Sequence, residues 1–103
     1  MTTALDITTA ALPDGTRVLK VVGEIDMSNN DVFAAAVAEG VAAGAPLVVD
    51  LTAVGYLDSS ALHSLFAHAD DIRVRTGPLL RPVLTVSGLT ELTTVEVVPS
   101  DGP

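Results

Sequence analysis

The chain has 103 residues, enough for one domain around a single core and too few for two. Five basic against thirteen acidic residues give a net charge of −8, which argues against nucleic acid or an anionic membrane as partner, since both are bound through clustered Lys and Arg. There is no cysteine, so disulfides and thiolate metal sites are excluded; the two histidines, His63 and His68, are five apart, off a common helical face, and suggest no metal site.

No apolar run approaches the roughly 20 residues that cross a bilayer, and Met1-Thr2-Thr3 opens neither a basic nor an apolar block, so the expected location is the cytoplasm. Hydrophobic residues make up 49% of the chain and only three residues are aromatic. The core must therefore be built from Val, Leu, Ile and Ala, which suits layered strands and helices.

Leu5, Ile7, Thr9 and Ala11 alternate with Asp6, Thr8 and Ala10, the period of a strand with one covered face. Pro13-Asp14-Gly15 reads as a turn, and Arg17 to Val22 resumes the alternation, so an antiparallel hairpin is expected. Gly23-Glu24-Ile25-Asp26 ends the second strand. Ser28 is then placed as a helix N-cap with Asp31 three residues on; Phe33, Val37 and Val41 form the apolar stripe, and Gly44 stops the helix in a left-handed cap.

Leu47 to Leu51 reads as a short central strand covered on both faces, followed by a glycine-containing loop. From about Ser59, Leu62, Leu65, Phe66, Ala69 and Ile72 lie on one face of a helix running to Gly77-Pro78. Its opposite side carries Ser64, His68, Asp71 and Arg75, with Asp71 and Arg75 at ion-pair spacing. Leu79 to Val86 fits a strand broken by Pro82 and a short helix stopped by Gly88 equally well. Thr93 to Val98 reads as a strand and residues 99–103 as a frayed tail.

The chemistry-bearing stretch is Asp58-Ser59-Ser60, where the central strand gives way to the second helix. Free backbone N–H groups and the helix dipole favour negative charge at such a joint, so a phosphate there is electrostatically welcome on the helix side. Plain capping explains one Asp or Ser in this place. Two hydroxyls after an acid exceed that need, and spacing alone leaves capping and a functional site both open. If the second and third strands are parallel neighbours, their following loops share an edge and bring Asp26 near Asp58. A hydrolytic Ser59–His63 pair is disfavoured: no Gly-x-Ser-x-Gly elbow is present, and Asp58 precedes the serine instead of orienting His63 from its far side.

Gly23-Glu24-Ile25-Asp26, then a helix, then Val48 through Leu62 with Asp58-Ser59-Ser60 inside it, resembles the STAS family, and within it the bacterial anti-sigma-factor antagonists. The resemblance runs from about Leu5 to Gly77. It implies one α/β domain over residues 1–103, a mixed sheet with helices packed on one side, in the order ββαβα followed by a C-terminal βα/β segment. It also implies a non-enzymatic binding protein without cofactor, in a partner switch. The unphosphorylated form binds a serine-kinase anti-sigma factor, the kinase phosphorylates the serine after the Asp, and a serine phosphatase reverses it. Carried onto this chain, Ser59 is the acceptor ahead of Ser60, and Glu24, Asp26, Ser28, Asp58, Ser59, Ser60 and Ala61 form the docking edge. Ala61 stands where the family usually has Gly, placing a methyl at that edge. A second implication of the resemblance is an unphosphorylated STAS adaptor in a lipid-transport or signalling complex. The strand expected ahead of Arg81 is nearly absent between Gly77 and Arg81, which would shorten the C-terminal segment, bare a sheet edge and favour a homodimer.

Overall fold

The computed structural model describes residues 4–44 and 46–99, and its first elements are a hairpin of β1 (Leu5–Ala11) and β2 (Arg17–Ile25) paired antiparallel. The hairpin turn is closed by Thr16 N–H donating to Asp14 Oδ1 at 2.8 Å and Gly15 N–H donating to the Leu12 carbonyl at 2.8 Å. Chain order continues with α1 (Asn30–Ala43), β3 (Leu47–Leu57), α2 (Ser59–Ala67), a 3-10 turn (Ala69–Asp71), β4 (Ile72–Thr76), α3 (Arg81–Val86), α4 (Leu89–Leu92) and β5 (Thr94–Val97). The five strands lie in sequence order, β2 to β5 mutually parallel.

Strand alternation decides which residues meet the helices. Leu19 and Val21 from β2, Leu47, Val49 and Leu51 from β3, and Ile72 and Val74 from β4 share one buried cluster with Phe33 and Val37 of α1, Ala61 and Leu65 of α2, Leu84 and Leu89. The alternate residues, Val18, Lys20, Val48, Asp50, Arg73 and Arg75, point to the other side, so the helices cover a single face, as the resemblance implies. Val48 and Asp50 are nevertheless buried on that uncovered face, so the central strand is shielded on both sides with helices on only one.

Several expectations are corrected. β3 does not stop at Leu51 but pairs with β2 as far as Ile25 opposite Leu57. Register shifts between Lys20 and Val22 and between Gly23 and Glu24 break the period of two, which is why Thr52 to Tyr56 reads as loop in the sequence. The second helix ends at Ala67, well short of Gly77, and Ile72-Arg73-Val74-Arg75-Thr76 is a strand. Ile72 fits the helical stripe by spacing, yet β-branched residues at 72, 74 and 76 alternate inward, and a pleated, half-buried surface suits them better. The strand missing before Arg81 is thus β4. The C-terminal segment is not shortened, and the ground for a bared edge and a homodimer through it disappears. Arg75 does not pair with Asp71; it lies across the sheet from Asp50 on β3, at 3.8 Å, and Glu96 on β5, at 3.5 Å.

Between strand and helix, Leu79 to Val86 resolves as a turn leading into helix from Arg81, with Pro82 in the first turn of α3 and Gly88 beyond its end in the left-handed region at φ 89°. The last strand lies inside the expected Thr93 to Val98, and of the expected tail residues 100–103 fall outside the described residues. The helical assignment of α3 has a direct check. Leu84 is fully buried in the core and Val86, two residues on, is 88% exposed. Leu84→Ala is expected to cost about 2–5 kcal/mol in a urea titration, and Val86→Ala to stay within about 0.5 kcal/mol of wild type.

Candidate functional site

Parallel pairing of β2 and β3 sends the chain into α1 and α2 from the same edge of the sheet, which brings two loops together. The Asp58 N–H donates to the Ile25 carbonyl at 3.2 Å, bonding the start of α2 to the end of β2. Asp26 and Asp58 therefore lie near enough for the charge of Asp26 to act on the carboxyl of Asp58.

Each acid is committed to its own loop. Asp58 is the N-cap of α2, and its Oδ1 accepts from Ser60 N–H at 3.0 Å, the Ser60 hydroxyl at 2.5 Å and Ala61 N–H at 3.2 Å. Asp26 Oδ1 accepts from the Ser28 N–H at 2.9 Å and the Ser28 hydroxyl at 2.5 Å. Ser28 is consequently not the helix cap expected of it. Asn29 takes the N-cap position of α1 and turns its side chain backwards: Oδ1 accepts from Asp26 N–H at 3.0 Å and Nδ2 donates to the Glu24 carbonyl at 2.9 Å. Glu24, near the end of β2, and Ser28, on the loop after it, are exposed. At the far end of α1, Gly44 is the C-cap as expected, but with φ 155° and ψ 111° it lies outside the left-handed helical well.

The two serines after Asp58 differ in what they offer. Ser60 is half-buried with its hydroxyl bound to Asp58, whereas Ser59, in the first turn of α2, is exposed and its hydroxyl makes no hydrogen bond among the described residues. Ala61 is fully buried and packs in the core cluster. Its methyl does not stand at the docking edge as the sequence suggests, and only its backbone N–H contributes, to the Asp58 cap. His63 is exposed, and Asp58 is engaged by the helix terminus through the oxygen that caps it, so the triad geometry of a hydrolase is not assembled.

Two residues of this region escape the sequence reading. Ser64, assigned there to the solvent side of α2, is 7% exposed, and its hydroxyl lies 3.3 Å from the Ser60 carbonyl and 3.4 Å from Asn30 Oδ1, joining the two helix starts. Its signal was its place one turn after Ser60 and directly before buried Leu65. Asn29 was legible as a preferred capping residue one position before the helix.

The Asp58 carboxyl is held below the usual aspartate range, chiefly by the Ser60 hydroxyl and further by the Ala61 and Ser60 N–H groups, while burial and the Asp26 charge act in the opposite sense. A lowered folded-state value means that the cap stabilises above the ordinary aspartate pKa and that this stabilisation is lost as pH falls through the lowered value. Asp58→Ala is expected to cost about 0.5–2 kcal/mol at neutral pH. Denaturant titrations in progressively more acidic buffer should show the gap between variant and wild type closing.

Among the described residues no group of three or more His, Asp or Glu side chains is placed to hold a metal ion, and no helix is long and apolar enough to cross a membrane. Residues 8–95 match the STAS domain family model. An anti-sigma factor antagonist from Mycobacterium paratuberculosis is similar in structure, with 30% identity, a TM-score of 0.82 and coverage of 90% of this chain and 86% of that one. The anti-sigma factor antagonist SpoIIAA in its unphosphorylated form is similar in fold at 15% identity, with a TM-score of 0.69 and coverage of 92% and 88%. No curated relative matches the chain.

Proposed function

This chain belongs to the STAS domain family, and we propose that it is an anti-sigma-factor antagonist whose docking edge is switched by reversible phosphorylation of Ser59. The observation that carries the reading is the division of labour between the adjacent serines: Asp58 holds the Ser60 hydroxyl, and the Ser59 hydroxyl is exposed beside it. The likeness to the Mycobacterium paratuberculosis antagonist supports the choice of partner class.

In the neutral state, Glu24, Asp26, Ser28, Asp58 and the Ser59 hydroxyl form one edge, which a serine-kinase anti-sigma factor covers. The kinase transfers the γ-phosphoryl group of ATP to Ser59 Oγ, and ADP leaves. The product carries about −1.5 to −2 additional charge next to Asp58 and Asp26. A surface matched to the hydroxyl must then desolvate a dianion among like charges, and the partner is released. A serine phosphatase with a basic site restores the hydroxyl.

Incubation with a kinase-type anti-sigma factor and ATP, followed by mass-spectrometric mapping, tests the assignment. One phosphate on Ser59 is expected, and none on Ser59→Ala. Undiminished incorporation into Ser59→Ala, or binding of the partner without any incorporation into wild type, would reject the switch; the second outcome would favour an unphosphorylated adaptor.

A further inference from the structure

The sheet face without helices carries a row of charges in strict alternation. Lys20 on β2 lies opposite Asp50 on β3, Asp50 opposite Arg75 on β4, and Arg75 opposite Glu96 on β5. Beside it runs a second row, Val18, Val48, Arg73 and Thr94, in the same register. Leu12, Val18, Val48 and Arg73 line a shallow depression of about 300 Å³ on this face, and Leu12 is 45% exposed. Lys20, Arg73 and Arg75 are three of the five basic residues in a chain of net charge −8, so their face is close to neutral on an otherwise acidic molecule.

We infer that this face is a homodimer surface, on which a second copy stacks sheet to sheet about a two-fold axis parallel to the strands and passing between β3 and β4. The order plus, minus, plus, minus becomes its own complement under that operation. Lys20 faces Glu96 of the second copy, a contact that recurs once by symmetry, while Asp50, 8% exposed and already 3.8 Å from Arg75 of its own copy, comes opposite the Arg75 of the other. In the neighbouring row the exposed Arg73 stem and Thr94 make the contact, coming opposite Val48 and Val18, which are only 7% and 9% exposed. At a separation of about 10 Å between stacked sheets, Lys, Arg and Glu side chains are long enough to meet. Neutrality makes this a face on which two strongly acidic copies can approach without like-charge repulsion. The Ser59 edge lies at the strand ends, outside both rows, so the dimer leaves it open and stands independently of the switch.

A plain cross-strand ladder would also align these charges within one chain. Charge reversal separates the two explanations. Lys20→Glu alone sets carboxylate against carboxylate at both symmetry-related contacts of its homodimer, and Glu96→Lys alone sets ammonium against ammonium at the same two places. In a mixed dimer of the two single variants each of the two contacts pairs a carboxylate with an ammonium group, so an equimolar mixture is expected to regain the affinity that each variant alone has lost. The double variant Lys20→Glu/Glu96→Lys likewise restores both contacts with their signs exchanged. Sedimentation velocity over a concentration series should show a wild-type dimer, each single variant weakened by about 100-fold or more, and the double variant returned to near wild-type affinity; circular dichroism confirms that each variant is folded. A monomeric wild type up to about millimolar concentration, single variants that dimerise like wild type, or a double variant that stays monomeric would overturn the inference.

Discussion

Ser59→Asp is expected to weaken binding of the kinase-type anti-sigma factor by about 100-fold or more, and Ser59→Ala to change it by less than about threefold. The asymmetry follows from the surroundings of the hydroxyl. Ser59 is exposed and makes no hydrogen bond among the described residues, so its removal leaves no group in this protein unsatisfied. A carboxylate there stands beside Asp58 and close to Asp26, a fourth negative charge on an edge that already carries these two and Glu24. The helix terminus cannot fully neutralise it, because the Ser60 and Ala61 N–H groups already donate to Asp58. Titration calorimetry of the three proteins against one partner checks this. Equal affinities would mean that the edge does not face the partner, even if Ser59 is phosphorylated.

The hairpin, α1 and the joint at Asp58 were legible in the sequence because local chemistry dictates them: alternation, a Pro-Asp-Gly turn, a stripe at i, i+4 and i+8, and an acid before a helix. β4 was not. Ile72 lies at a position where periods of two and 3.6 both place an apolar residue, and the strand is chosen by the non-local pairing of Ile72 with Leu47 and Val74 with Val49. Arg75 shows the consequence. Read as helical it belongs to Asp71, four residues away, and in the sheet it belongs to Asp50 and Glu96, over twenty residues away in either direction.

The site shows the same division. Residue types and their order gave Asp58, Ser59 and Ser60, and parallel pairing gave the approach of Asp26. What spacing could not tell is which serine hydroxyl is already taken, since that depends on the rotamer Asp58 adopts while capping. Nor could it tell that Ala61 faces inward: the residue follows an exposed and a half-buried serine, and only the packing of α2 on β3 makes its methyl part of the core.

Gly23→Ala is expected to produce the largest loss of stability among surface-accessible substitutions near the site, about 2–4 kcal/mol, or about 10–25 °C in melting temperature for a domain of this size. Gly23 has φ 120°, a conformation that an L side chain rarely adopts, and an added Cβ would lie 2.3 Å from the Ala4 carbonyl oxygen. That oxygen cannot simply retreat, because it accepts the Glu24 N–H at 3.2 Å across the β1–β2 pair. The register of β2 against β3 shifts between Gly23 and Glu24, and past the shift Ile25 pairs with Leu57 and accepts from Asp58 N–H. A methyl at 23 must therefore open the β1 edge or relax the shift, and relaxing it moves the strand end that holds the start of α2. Gly55, on the neighbouring strand, has no positive φ, and a methyl added there would meet nothing within 4 Å, so Gly55→Ala is the control and should be neutral or slightly stabilising. Thermal melts of both variants, with partner affinity measured well below their midpoints, separate the two routes. An opened β1 edge lowers the melting temperature alone, and a relaxed shift lowers affinity as well. A Gly23→Ala protein as stable as Gly55→Ala would show that the close approach of Ala4 is not what fixes this end of the sheet.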